Sequence, residues 1–396
     1  MTQHSHDRAT LRVLLLEGIH QSAVDHLTND GYTNIDARND PLKPEELAEV
    51  IGDYSFVGIR SRSKITPEVL DRAERLVAIG CFGAGTNQVD KQAAKLKGIP
   101  VFNAPYANTR SVAEYVIGCV ISLFRGLSAK NVAAHRGEWQ KTARRAHEVR
   151  GKTLGIIGYG NIGMQVGVMA EALGMKIMYY DPVDRLPLGN AVRAESMEQL
   201  LRSVNALTLH VPDTPATRGM IGAEQLAMMS EGAHLINAAR GALVDVEALA
   251  ASIESGHLGG AALDVYTNEP KKKSEPFESP LRGYDQVILT PHIGGSTVEA
   301  QAAIGRYVAS KLTTFSNTGT TEGCVNMAQV RLPSNGSNHR LLHVHKNEPG
   351  VLSALNRVFS ESKINIEGQV LSTDSDVGYV VTDIGKGSDD GVLLDK

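Results

Sequence analysis

KTLGIIGYGNIGMQVGVMAEALGMKIMYYD, residues Lys152–Asp181, decides how the rest of this chain is read. Thr153 to Ile157 is an apolar run of the kind that fills a buried parallel strand. Gly158-Tyr159-Gly160-Asn161-Ile162-Gly163 follows at once and fits G-x-G-x-x-G. Helical spacing then carries Met164, Val168, Ala172 and Leu173, and Gly174 stands where a C-cap glycine belongs. A second apolar run, Met175 to Tyr180, ends on Asp181, 18 residues beyond Gly163. A glycine triplet alone is weak, because glycine turns are common. Strand, motif, helix, strand and terminal acid in this order are what a βαβ dinucleotide site requires. Gly158 then makes the tight turn, Gly160 lets the backbone approach a pyrophosphate at the helix N-terminus, and Gly163 allows close helix–strand packing. Asp181 is expected to accept hydrogen bonds from a ribose and to repel a 2′-phosphate, which favours NAD over NADP.

The 396-residue length predicts two or three domains. A net charge of −4 makes no electrostatic case for nucleic acid or for an anionic membrane. Cys81, Cys119 and Cys324 are far apart and form no C-x-x-C pair, as in a reducing cytoplasm. MTQHSHDRAT, at the start, has no apolar secretory core, and its His4 and His6 read as a solvated tail rather than a metal site. Val112 to Phe124 is the most apolar helical stretch; it contains Glu114 and is too short to span a bilayer.

Outward from the centre, strand-like and helix-like runs alternate. Before it come strands near 13–18, 55–60, 76–80 and 99–104, with helices near 21–29, 44–51, 66–73 and 89–97. Thr66-Pro67 is a strong helix start. A long helix is expected from Asn108 to Arg136, capped by Thr109 or Ser111 and bent at Gly118 or Gly126. After the centre, strands are expected at 206–211, 234–239, 260–265 and 287–292, with a returning helix at 297–317. The fold class is therefore α/β, with two doubly wound parallel-sheet domains and a ligand cleft at the carboxyl ends of the strands. The expected division is 1–107 and 297–332 for the first domain and 108–296 for the nucleotide domain inserted in it. The polar, turn-rich stretch at 333–338 reads as a linker, and 339–396 as a small α+β module.

Three polar residues follow strands in the second half: Arg240, Glu269 and His292. Singly, each has an ordinary explanation, as a surface arginine, a turn glutamate and a structural histidine. On one sheet that already carries a nucleotide loop they make a workable dehydrogenase constellation. Arg60, Ser61 and Arg62 follow the strand-like SFVGI. Two arginines one residue apart face opposite ways on a regular strand, so a loop must turn both inward to suit a phosphate; a solvated basic edge is the alternative.

At these residues the sequence resembles the D-isomer-specific 2-hydroxyacid dehydrogenases. The likeness runs through GIRSRSKIT (58–66), GTNQVD (85–90), FNAPYANTRSVAEYVIG (102–118), the glycine motif, NAARG (237–241), NEP (268–270) and PHIGGST (291–297). The resemblance implies a Rossmann domain inserted in a flavodoxin-like substrate domain. It implies that Arg240 holds the substrate carboxylate, that His292 takes the hydroxyl proton, and that Glu269 orients the imidazole and raises its pKa. It places Ala238, Ala239, Arg240, Asp264, His292, Gly294 and Gly295 along the nicotinamide half of NAD, and Val211 and Pro212 near the adenosine or ribose. Arg60, Ser61 and Asn108 fall in the substrate region, with Lys141 assisting from a partner subunit of a homotetramer or homodimer.

Within that family the likeness is strongest to members that oxidise 3-phospho-D-glycerate with NAD, the first step of L-serine synthesis. Some also reduce 2-oxoglutarate. The alternatives are a relative acting on glyoxylate, hydroxypyruvate or lactate, or an NAD-sensing corepressor-like binding protein. The last module resembles an ACT domain. His345, Asn347, Gly350 and Asn365 match positions that bind L-serine as a feedback effector across paired modules. After Asp383 the remaining residues fall short of the second helix and last strand, so the module reads as shortened.

Overall fold

The computed structural model describes residues 7–270, 274–333 and 339–385. His4, His6, most of the expected linker and the tail beyond Gly385 lie outside the described residues. Contacts divide the chain into Met1–Ala107 with Gln301–Lys396, and Asn108–Ala300. The second division falls inside the helix Val298–Thr318 rather than ahead of it.

In the first unit, strands β1 (Arg12–Leu15), β2 (Asn34–Ala37), β3 (Phe56–Ile59), β4 (Ala78–Cys81) and β5 (Val101–Asn103) form a parallel sheet in the order 2-1-3-4-5. This is the flavodoxin-like order, which reverses between β1 and β3. Strand β2 was not expected. Its sequence, NIDA, is partly polar and its residues are exposed or half-buried, so no apolar run marks it. Every residue of β3 and β4 is buried, and Leu14, Leu16, Val57, Ile59 and Ile79 pack under the helices Pro44–Val50 and Pro67–Asp71. The latter begins as expected: Thr66 Oγ1 accepts from Val69 N, with Pro67 at the first helical position.

The second unit is a parallel sheet of β6 (Thr153–Ile157), β7 (Lys176–Tyr180), β8 (Val192–Arg193), β9 (Ala206–Leu209), β10 (His234–Asn237), β11 (Gly260–Leu263) and β12 (Val287–Leu289), in the order 12-11-10-9-6-7-8. The order of successive strands reverses between β6 and β9, which run parallel, and this is the crevice where Rossmann sheets bind dinucleotides. The expected long helix is two helices, Thr109–Arg125 and Leu127–His135, bent by 68°. The break is at Gly126, whose φ of +58° ends the first helix; Gly118 stays helical. Asn108, not Thr109 or Ser111, is the N-cap residue, and Ser111 instead bonds Thr297 at 2.8 Å. Val112, Val116, Val120 and Leu123 bury one face of that helix against β6, β10 and β11 residues. No single described helix is long and apolar enough to cross a membrane.

Strands β13 (His339–Lys346), β14 (Ile366–Thr373) and β15 (Val377–Ile384) with the helix Val351–Glu361 build a small antiparallel module, β15 central. It shares the core of the first unit. Tyr379 and Val381 of β15 pack with Phe102, Leu312 and Phe315, and Tyr379 Oη donates to Gly319 O at 2.6 Å. Arg340 donates to both oxygens of Asp383 at 2.7 Å and to Thr318 O and Leu332 O at 2.8 Å. Lys95 pairs with Asp374 and Asp376.

Candidate active site

The glycine motif, Asp181, Arg240, Glu269 and His292 all follow carboxyl ends of strands, because a parallel sheet directs every such loop to one edge. After β6, Gly158 has φ +90°, and a Cβ there would meet His210 O at 2.6 Å. A Cβ on Gly163 would lie 2.3 Å from Gly158 O. These two glycines are dictated by the protein's own packing. Gly160 is different: a Cβ would meet nothing within 4 Å. Its bareness leaves room for a pyrophosphate against the N-terminus of the helix Asn161–Ala172, so the residues present fit NAD. Asn161 and Ile162 form the first turn of that helix.

Replacing Gly163 with alanine is expected to push the helix off β6. Thermal unfolding should show a loss of about 1–3 kcal/mol, and NADH fluorescence titration a matching weakening of affinity.

Asp181 ends β7 and is almost fully buried. It accepts from Tyr159 N and from Val183 N, both at 2.9 Å, so it braces the glycine loop. Arg185 Nε lies 3.6 Å from its Oδ2, a basic neighbour four residues on that no motif marks. After β9, His210 precedes Val211 and Pro212. Burial pushes its imidazole down to about 3, so it is a neutral residue bonded to Thr208 at 3.0 Å.

After β10, Asn237 Nδ2 donates to Arg240 O at 2.9 Å and Ala239 N donates to Asn237 Oδ1 at 3.1 Å. This knot sets the Ala238-Ala239-Arg240 backbone. Arg240 Nη1 donates to Ala239 O at 2.6 Å. Gly241 is required next, since a Cβ would stand 2.1 Å from Tyr266 C. Arg240, Glu269, His292 and Tyr266 line one cavity of ≈ 560 Å³, with the Asp213–Arg218 ion pair among its walls.

His292 has φ +55°, uncommon for a residue with a side chain. Asp264, 1 % exposed after β11, explains how this is held. It accepts from Ile293 N at 2.8 Å, Gly294 N at 2.7 Å and Thr290 Oγ1 at 2.6 Å. Thr290 is also bonded to Tyr115 Oη at 2.7 Å. Because Thr290 gives its proton to the carboxylate, Tyr115 must donate to Thr290. His292 Nδ1 lies 3.0 and 2.9 Å from the two oxygens of Glu269, and Tyr266 N donates to Glu269 Oε1 at 3.2 Å. The bond to Glu269 raises the His292 pKa above its usual 6.5, although burial opposes it. Burial pushes Glu269 up, but the His292, Tyr266 and Arg240 contacts together outweigh it and the carboxyl is lowered. Both partners therefore shift towards the charged pair.

Gly295 leaves no space for a Cβ beside Asn108, whose Oδ1 is buried without a partner among the described residues. Lys141 is exposed in the segment following the helix Leu127–His135. In the first unit, Arg60, Ser61 and Arg62 leave β3 as a loop, not a continued strand.

In the small module, His343 and His345 stack at 5.2 Å, and a Cβ on Gly378 would sit 2.3 Å from His345 Nε2. Asn347 Nδ2 donates to Asp374 O at 2.7 Å, and Gly350, φ +94°, starts the helix. Asn365 is not near them. It precedes Ile366, which pairs with Ile384, whereas His345 pairs with Gly378 at the other end of β15. One chain does not assemble these four residues.

Residues 117–294 match the family described as D-isomer specific 2-hydroxyacid dehydrogenase, NAD binding domain, and 341–392 match the AHAS small subunit-like ACT domain. The chain belongs to the D-isomer-specific 2-hydroxyacid dehydrogenase family and is an NAD-dependent oxidoreductase. It is 51% identical to D-3-phosphoglycerate dehydrogenase of Haemophilus influenzae, over 96% of this chain and 92% of that one. It is 46% identical to the Dictyostelium discoideum D-3-phosphoglycerate dehydrogenase, over 94% and 91%. Among solved structures, D-lactate dehydrogenase from Aquifex aeolicus, complexed with NAD and lactic acid, is similar with a TM-score of 0.69 and 26% identity. That likeness covers 80% of this chain and 100% of the other.

Proposed function

We propose that this enzyme oxidises 3-phospho-D-glycerate to 3-phosphohydroxypyruvate with NAD, the first step of L-serine synthesis. The observation that carries the reaction type is the His292–Glu269 pair lining one cavity with Arg240. Near-full-length identity to D-3-phosphoglycerate dehydrogenases supports the choice of substrate.

Glu269 only accepts, so the His292 Nδ1 carries a hydrogen and Nε2 is left with a lone pair. Nε2 takes the C2 hydroxyl proton during oxidation, and the imidazolium formed is stabilised by Glu269. Arg240 offers its planar fork to the substrate carboxylate and polarises the C2 oxygen, its guanidinium steadied by Ala239 O. NAD, when bound, supplies the hydride acceptor. Arg60, Ser61 and Arg62 recognise the phosphate, Asn108 contributes to the substrate region, and Lys141 assists from a partner subunit.

Serine feedback is part of the same reading. Because Asn365 stands apart from His345, Asn347 and Gly350, an effector touching all four needs two chains, which supports a homodimer or homotetramer. Three unpaired cysteines suit the cytoplasm.

The test is NADH production from 3-phosphoglycerate at alkaline pH with a ketone trap, with and without L-serine. Turnover suppressed by serine is the expected result. Turnover only on an unphosphorylated 2-hydroxy acid would sink the proposal.

A further inference from the structure

Four consecutive backbone N–H groups, from Arg60, Ser61, Arg62 and Ser63, point at the carboxylate of Glu17. Arg60 N and Ser63 N reach Oε1 at 3.1 and 2.8 Å, and Ser61 N and Arg62 N reach Oε2 at 3.1 and 2.9 Å. Successive amides converge on one acceptor only when the chain is curled into a cup, the arrangement that usually receives a free anion. Here the anion is built in. Glu17 is 3 % exposed and has φ +67°, followed by Gly18 at +62°; these two residues turn the backbone sharply at the end of β1.

The place is informative. Strands β1 and β3 are parallel neighbours across the point where the strand order reverses, and ligands of such sheets bind in the crevice beyond that point. The loop seated on Glu17 is also where both arginines emerge. Arg60 Nη1 is 3.5 Å from Glu17 O and Arg62 Nε is 3.6 Å from Glu17 Oε2, so both side chains start beside one residue instead of alternating across a strand. Gln88 clamps the same loop from a second side, donating to Arg60 O at 2.5 Å. Arg62 remains half exposed, with N–H groups left for another anion.

We propose that Glu17 is a positioning residue for substrate recognition: its carboxylate moulds residues 60–63 into the shape that presents Arg60, Ser61 and Arg62 to the phosphate of a phosphorylated 2-hydroxy acid. This rests on the functional reading above. A carboxylate suits the role because it accepts at four positions and donates at none. Glutamine has nearly the same shape, but its NH₂ would face two of the loop's N–H groups.

Glu17→Gln is expected to raise the KM for 3-phosphoglycerate about 10-fold or more, since small misplacements of binding groups are costly. The KM for NAD should stay within about twofold, because the dinucleotide loop is in the other unit. Glu17→Asp, which keeps the charge but is one methylene shorter, should give a smaller rise in the same constant; it also serves if the glutamine variant does not fold. An unchanged KM for 3-phosphoglycerate in a folded variant overturns the inference. So does a KM raised by Glu17→Gln but untouched by Arg60→Ala and Arg62→Ala. Wild-type enzyme that turns over no 3-phosphoglycerate overturns the functional reading itself, and this inference with it, which keeps the two failures apart.

Discussion

Replacing His292 with glutamine lowers kcat for oxidation by about 10²–10⁴-fold, the usual contribution of a positioned base. Glutamine fills similar space but cannot take a proton. The sign of the pH dependence follows from the pairing with Glu269. Oxidation needs the neutral imidazole, and the bond to Glu269 raises the pKa above 6.5. The oxidation rate is therefore lost as pH falls through that raised pKa and is full above it. Reduction needs the imidazolium and runs the other way. Glu269→Gln removes the charge that holds the proton, so the acid limb should move to lower pH while the plateau falls. A limb that stays in place would show that Glu269 does not set the His292 pKa. The measurement is kcat and kcat/KM against pH for both variants.

Arg240→Lys keeps a positive charge and loses the fork. Charge-assisted bonds are each worth about 1.5–3 kcal/mol, so losing one of the two bonds of the fork should cost about 10–10²-fold in kcat/KM for 3-phosphoglycerate. Alanine should cost more. Because the guanidinium is steadied by its neighbour's carbonyl, a lysine would also lose the constraint that fixes its direction. Steady-state kinetics with both substrates varied separates this from cofactor binding. A lysine variant with full kcat/KM would mean that Arg240 acts only as a distant charge.

The central βαβ was legible because its constraints are local: each glycine, the C-cap and Asp181 lie within one supersecondary unit. Arg240, Glu269 and His292 were legible because a parallel sheet brings strand ends together, whatever the details. What sequence did not show depends on distant chain segments or backbone angles. Glu17 meets its loop 43–46 residues away and does so with a positive φ, so nothing in its sequence neighbourhood marks it. The family likeness points to Asp264, but its bonds to Ile293 N and Gly294 N, which hold His292 in its positive-φ conformation, join segments 29 and 30 residues apart. Two glycines competed for the bend in the long helix, and the choice of Gly126 is a left-handed φ that no composition rule distinguishes from Gly118. Strand β2 escaped because its sequence carries little apolar signal. The separation of Asn365 from His345 follows from strand order, which hydrophobic patterning does not encode.

Tyr379 and Val381 bury one side of the small sheet in the core that Phe102, Leu312 and Phe315 also fill. Unfolding of the first unit and release of that sheet are therefore not separate events. An effector acting through the module can shift the enzyme only by the difference in its affinity for two arrangements of these shared contacts. Removing the module would strip the enzyme of part of its own interior.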